Sequence, residues 1–269
     1  MKALVLSGGG GFGAYQVGAW QALEEANWSP DIVLGTSIGA VNGFLIARGV
    51  TAAELRGLWM DLPAEFASNG GFALTPYSRE VPRFRAWTAE IVRRFAERPL
   101  CCRLQVCMAE LRTGAMRVVE GRAVGERHLL AACALPPLMA PVRVDGRLYV
   151  DGGTLYPVPL KEAVATGADE IAAVDLFRGA PCNLPRALRL VTLRIRNLLR
   201  RESEKPAPQD LARIRLHYLG HRNSLGTIRE CFQWNPLQAE RWIEMGYRDT
   251  VAEMSLGLEL PSRALHEKS

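Results

Sequence analysis

Three short stretches of this 269-residue chain carry residue types that can do chemistry together. Gly35-Thr36-Ser37-Ile38-Gly39 sets a serine between two glycines. A serine hydroxyl is a poor nucleophile until a base takes its proton. The Gly-x-Ser-x-Gly spacing lets the serine sit in a strained strand-to-helix turn, with neighbouring backbone passing close to the flanking glycines. Gly8-Gly9-Gly10-Gly11-Phe12-Gly13 can present a row of backbone N–H groups at a helix N-terminus, where negative charge is favoured. Asp151-Gly152-Gly153 ends an apolar strand with a carboxylate, and its glycines permit a tight turn against another backbone. An attacking hydroxyl, a proton acceptor and a site for an oxyanion are the requirements of acyl transfer.

The glycine loop has two readings. Gly8-x-Gly10-x-x-Gly13 matches the dinucleotide fingerprint, with Asp31 about 20 residues further on as the ribose-binding acid. Alternatively, the N–H groups of Gly9, Gly10 and Gly11 form an oxyanion hole. A dinucleotide fold has no need of a nucleophile elbow after its second strand, and Asp31 opens that strand where the ribose acid normally ends it. The base also has two readings. His217 and His221, read as lying on or near one helix, would give the Ser…Asp…His order of α/β-hydrolases. A partly desolvated Asp151 touching the Ser37 hydroxyl could accept its proton directly. His128, inside a predicted helix, and His266, near the C-terminus, offer less.

The elements that must position these residues follow from hydrophobic periodicity. Ala3 to Leu6 and Asp31 to Leu34 read as buried strands, each followed by a helix (Ala14 to Glu25, Ile38 to Ala47). Thr51 reads as an N-cap with Glu54 completing a capping box. Arg83 to Glu97 and Glu126 to Ala134 read as helices, and Leu104 to Leu111 with Met116 to Glu120 as strands turning at Thr113-Gly114. Asp145-Gly146 marks a hairpin. Lys161 to Thr166 then reads as a helix and Glu170 to Asp175 as a strand. Alternating strands and helices predict a three-layer α/β/α fold with a central, mostly parallel sheet. One domain is expected over 1–269, with the chemistry inside 3–176 and a C-terminal helical part at about 186–269. Within that part, Leu211–Leu219 and Ala239–Met254 read as helical. Residues 61–80 read as a loop or lid, and 202–209 as an exposed loop.

Composition bounds the class. Apolar content of 48%, charged content of 23% and a net charge of +5 are ordinary for a globular chain. Met1-Lys2 leads straight into a core strand, so a cleaved secretory signal is not expected, and no apolar run reaches the ~18–20 residues of a membrane span. Cysteines 101, 102, 107, 133, 182 and 231 lack zinc or thioredoxin-like spacing and read as reduced thiols of a cytoplasmic protein, the first four in core strands or helices. Trp59, Phe66, Phe72 and Tyr77 read first as ordinary loop packing, with an apolar rim for a lipid surface as the alternative. The basic, apolar stretch 186–201 is expected either to lie on an anionic membrane or to cover the sheet with its arginines outward.

Taken together, Leu4 to Tyr15, Gly35 to Asn42 and Asp151-Gly152-Gly153 resemble the three signature blocks of patatin-like phospholipases, and Ala131 to Pro137 and Gly167 to Ile171 resemble the segments flanking the third. The resemblance covers roughly residues 3–176. It implies a patatin-like fold and a serine acyl hydrolase acting on lipid acyl esters. The nucleophile would be Ser37, the base Asp151 and the oxyanion donors Gly9, Gly10 and Gly11. Gly8, Gly13, Gly35, Gly39, Gly152 and Gly153 would support the motifs. It implies neither metal nor cofactor and no nucleic acid, with peripheral membrane contact as the partner surface. The chain departs from the family at Phe12, where Arg or Lys is usual, which bears on recognition of a charged head group.

Overall fold

The computed structural model describes residues 1–61, 80–179, 206–233 and 235–255. One eight-stranded sheet organises them. The chain enters through β1 (Lys2–Leu6), makes a 3-10 turn at Gly10–Gly13, and continues as α1 (Ala14–Glu25), β2 (Ile32–Thr36), α2 (Ile38–Ile46), α3 (Ala52–Met60) and α4 (Glu80–Phe95). It then runs through β3 (Arg103–Glu110), β4 (Met116–Glu120), α5 (Glu126–Ala132), β5 (Val142–Val144), β6 (Arg147–Asp151), α6 (Leu160–Ala165) and β7 (Glu170–Val174). The remaining described elements are α7 (Pro208–Leu211), β8 (Arg215–Leu219), α8 (Ile228–Cys231) and α9 (Pro236–Ser255).

The strand order is β5-β6-β3-β2-β1-β7-β8, with β4 also paired to β3. The pairs β3–β2, β2–β1, β1–β7 and β7–β8 are parallel, whereas β4 and the β5–β6 hairpin are antiparallel. Central strands are apolar on both faces because both faces are covered. Leu4 and Leu6 of β1 join the core beneath α1, α2 and α9, while Ala3 and Val5 join the smaller core with Leu160 and Ala163 of α6. The architecture is therefore the expected mixed, mostly parallel sheet with helices on both sides.

Local signals behave as their chemistry dictates. Thr51 Oγ1 accepts from the Glu54 N–H at 3.2 Å, and the Glu54 carboxylate accepts from the Thr51 N–H at 3.1 Å. Thr51→Ala is expected to cost about 1 kcal/mol in urea unfolding. Asp145 and Gly146 both have positive φ (46° and 78°), as a two-residue hairpin turn requires.

Three expectations need correction. The stretch Leu211–Leu219 is not helical: α7 ends at Leu211, and β8 pairs with β7 from Glu170↔Arg215 to Val174↔Leu219. Ile214, Leu216 and Tyr218 alternate onto the core under α6, a period of two that basic and polar neighbours disguised. The C-terminal part is thus not wholly helical, and His217 and His221 share no helix. Trp59 belongs to no rim: it is 1% exposed and donates to Asn42. Cys101 and Cys102 precede β3 in a bend, Cys101 being exposed, while Cys107 lies in β3 and Cys133 is buried. Phe66, Phe72, Tyr77, Cys182, His266, residues 62–79 of the 61–80 loop, the 186–201 stretch and the 202–209 loop up to residue 205 lie outside the described residues, while Glu80 already opens α4.

Candidate active site

Strand register brings Ser37 and Asp151 together. On β3, Gln105 to Ala109 pair with β4 on one edge. The opposite edge is shared: β2 occupies it up to Thr36↔Cys107, and β6 occupies it from Glu110↔Tyr149 down to Met108↔Asp151. The two strands run toward each other and abut. The residue after Thr36 is Ser37 and the last residue of β6 is Asp151, so the two side chains of interest sit at facing strand ends.

Ser37 has φ 54° and ψ −130°, and its side chain makes no capping bond to α2. Such a conformation costs on the order of 1–3 kcal/mol and holds only where surroundings enforce it. They do so here by close backbone contact. A Cβ on Gly35 would lie 2.2 Å from the Gly39 carbonyl oxygen, and one on Gly39 would lie 2.3 Å from that of Leu6. The hydroxyl is left free of helix capping and lies close enough to the Asp151 carboxylate to pull its pKa down.

Asp151 is 3% exposed. Its N–H donates to the Ala134 carbonyl at 3.0 Å, the Thr154 hydroxyl donates to its carbonyl at 2.7 Å, and its Oδ1 accepts from the Gly153 N–H at 2.7 Å. Burial pushes the carboxyl up to about 6, against the opposing pull of the hydrogen bonds from Ser37 and Gly153. At neutral pH the group is an ionised but unusually basic carboxylate, suited to proton transfer.

The glycine loop passes over the same point. A Cβ on Gly8 would lie 3.1 Å from Ser37 Cβ and 3.9 Å from its Oγ. The Gly8 N–H is used, donating to Pro157 at 3.1 Å, whereas no acceptor among the described residues takes the N–H of Gly9, Gly10 or Gly11. The loop is covered by α8, whose Cys231 thiol donates to the Gly9 carbonyl at 3.0 Å. Phe12 is fully buried and packs edge-on against Trp242 of α9 and Phe177, at centroid distances of 5.0 and 6.2 Å. Position 12 is therefore a packing position in this chain, turned into the core where no head group can meet it.

Cys133 is a member of this site that sequence reasoning left in the core. It caps α5, and its thiol is near enough to feel both the Ser37 hydroxyl and the Asp151 charge. Burial holds it well above the usual thiol range, so it stays protonated and does not compete as a nucleophile. Its place in the segment just before β5 was the available signal.

The histidines are engaged elsewhere. His217 lies on β8, three strands and roughly 14 Å from β2, with its Nε2 3.3 Å from Glu170 at the opposite end of the sheet. His221 Nδ1 meets Asp249 at 2.8 Å, and His128 Nδ1 accepts from the Gly125 N–H. Asp31 also lies at the wrong end for a ribose: its carboxylate accepts from the Lys2 N–H, at the start of β1, while the glycine loop follows the end of that strand.

A family model described as patatin-like phospholipase matches residues 4–101 and 125–164. Among curated proteins, the chain is 30% identical over 181 residues to lysophospholipase nte1 of Aspergillus terreus and equally to that of Emericella nidulans, each match covering 64% of this chain. The chain spans 12% of the length of these relatives. Among solved structures, VipD from Legionella pneumophila superposes with a TM-score of 0.51 at 16% identity, covering 95% of this chain and 67% of that one, which is a likeness of fold.

Proposed function

Because the chain belongs to the patatin-like phospholipase family, we propose that it hydrolyses lipid acyl esters through Ser37 and Asp151. The observation that supports this reading is the abutment of β2 and β6 on one edge of β3, which brings together the strand ends that carry Ser37 and Asp151. As Ser37 Oγ attacks the acyl carbonyl, Asp151 takes its proton. The carbonyl oxygen becomes an oxyanion facing the N–H groups of Gly9, Gly10 and Gly11, where preorganised donors lower the barrier most. Protonated Asp151 then gives its proton to the departing alkoxide, leaving an acyl-serine. Water, deprotonated by the same carboxylate, attacks the acyl-serine, and Ser37 recovers its proton as the fatty acid leaves.

The lysophospholipase name of the curated relatives makes single-chain phospholipids the first substrates to offer. Substrate of this kind is drawn from a membrane or micelle, so contact with a lipid surface is part of the proposal. Among the described residues no helix is long and apolar enough to cross a membrane. The dinucleotide reading loses its ribose acid, since Asp31 is spent on the Lys2 amide.

A fluorophosphonate probe tests the reading. Ser37 Oγ would attack phosphorus and expel fluoride, leaving a stable adduct. Mass mapping is expected to find it on Ser37 in the wild type and nowhere in Ser37→Ala. A wild-type protein that stays unlabelled, or carries the label elsewhere, would remove Ser37 as nucleophile.

A further inference from the structure

Two buried side-chain amides grip the glycine loop at both ends. Gln16 Nε2 of α1 donates to the Ser7 carbonyl at 2.8 Å, just before the loop. Asn42 Nδ2 of α2 donates to the Gly13 carbonyl at 3.1 Å, at its end, and to Gln16 Oε1 at 2.9 Å. Trp59 Nε1 of α3 donates to Asn42 Oδ1 at 2.9 Å. Ser7, Gln16 and Asn42 are wholly buried and Trp59 is 1% exposed.

The direction of this chain is fixed by its ends. An indole N–H can only donate, so it selects the oxygen of Asn42 and turns the Asn42 NH₂ toward Gly13 and Gln16. The Gln16 oxygen is thereby taken, and its NH₂ meets the Ser7 carbonyl, which can only accept. Buried amides are costly unless bonded, and a core here could be filled with leucine and methionine at similar volume. What the amides add is geometry. Asn42 rides on the helix that begins beside Ser37, about 7.5 Å along its axis. Its grip on Gly13, and through Gln16 on Ser7, ties the serine's helix to the loop whose three N–H groups find no acceptor among the described residues.

We propose that Asn42 and Gln16 are positioning residues that set the distance between the Ser37 hydroxyl and the oxyanion donors of Gly9, Gly10 and Gly11; this rests on the reading of Ser37 as nucleophile. Trp59 serves by orienting Asn42. A loop held only by apolar packing could shift by an ångström, and a misplacement of that size costs up to about 10²-fold in rate.

The test compares Asn42→Leu, Gln16→Met and Trp59→Phe with the wild type, using ester hydrolysis and binding of two ligands. A long-chain trifluoromethyl ketone takes the serine into a tetrahedral oxyanion adduct, and the matching fatty alcohol does not. Asn42→Leu and Gln16→Met are expected to lose about 10- to 100-fold in kcat, with KM within about twofold. Ketone affinity should fall by the same factor as kcat, and alcohol affinity should hold. Trp59→Phe leaves both Asn42 donors in place and should lose about threefold or less. Folded variants with wild-type kcat would overturn the proposal. So would an equal loss of ketone and alcohol affinity, or failure of both Asn42→Leu and Gln16→Met to fold, which would assign the amides to stability alone. Fluorophosphonate labelling of the wild type separates the two levels: without it the nucleophile reading falls and this proposal with it, whereas labelling together with unimpaired variants sinks this proposal only.

Discussion

Asp151→Asn is expected to lose about 10²–10⁴-fold in ester hydrolysis while becoming more stable than the wild type above pH 6. The loss follows from removing the proton acceptor. The gain follows from burial. The folded state raises this carboxyl from 3.8 to about 6, so between those values the folded protein binds the proton more tightly than the unfolded chain does. Stability tied to this group is complete below about pH 4 and declines as pH climbs, the full cost being reached above about pH 6. A shift of about 2 units corresponds to an upper bound of about 3 kcal/mol. Asparagine carries no charge at any of these pH values. Its Oδ1 can still accept from Gly153 and its NH₂ can face Ser37, so little else is lost. The two proteins should unfold at nearly the same urea concentration at pH 4 and diverge by pH 8. Parallel curves across that range would mean that residue 151 is not a carboxylate whose charge is penalised by burial. Wild-type kcat/KM should rise with pH through about 6 and level off, because only the ionised carboxylate accepts a proton.

Gly18→Ala is expected to destabilise the fold by about 3 kcal/mol or more, and to lower turnover as well. In an exposed helix the same change would gain about 1 kcal/mol. Here α1 crosses α9 backbone to backbone. A Cβ on Gly18 would lie 1.8 Å from the Ile243 carbonyl oxygen, and one on Gly246 would lie 2.0 Å from that of Tyr15. Overlap of that depth involves rigid helix backbone on both sides, so the helices must part, and the packing loss exceeds the propensity gain. Parting them strains the bonds that span the crossing, Tyr15 to Asp249 at 2.8 Å and Tyr247 to Glu25 at 2.7 Å. It also draws Trp242 away from Phe12, inside the glycine loop. Gly57 in α3 is the control, since a Cβ there meets nothing within 4 Å. Gly57→Ala should leave turnover unchanged and add up to about 1 kcal/mol. Urea midpoints and initial rates of the two variants would decide; equal behaviour would refute the crossing as a constraint.

Much of the frame was legible because its signals are local. The glycines around Ser37 announce a backbone approach that only they permit, the Thr51–Glu54 box marks its helix start, and Asp145-Gly146 marks its turn. What stayed hidden depends on tertiary partners. β8 is read as a strand only once the core under α6 selects every second residue. Trp59 looked like a surface aromatic because its partner, Asn42, sits a helix away. Phe12 looked like a missing cation until α9 supplied Trp242 as its neighbour. The meeting of β2 with β6 depends on β4 claiming the far edge of β3, which no single segment reveals. Cys133 beside Ser37 is a product of that same meeting.

The head-on arrangement of β2 and β6 has a consequence for biosynthesis. A nascent chain leaving the ribosome carries its hydroxyl early, on a strand that pairs with its immediate predecessor. The carboxylate arrives far later, on a hairpin that must find the vacant half of an edge already in use. The proposed Ser37–Asp151 pair is therefore assembled only once that hairpin has docked.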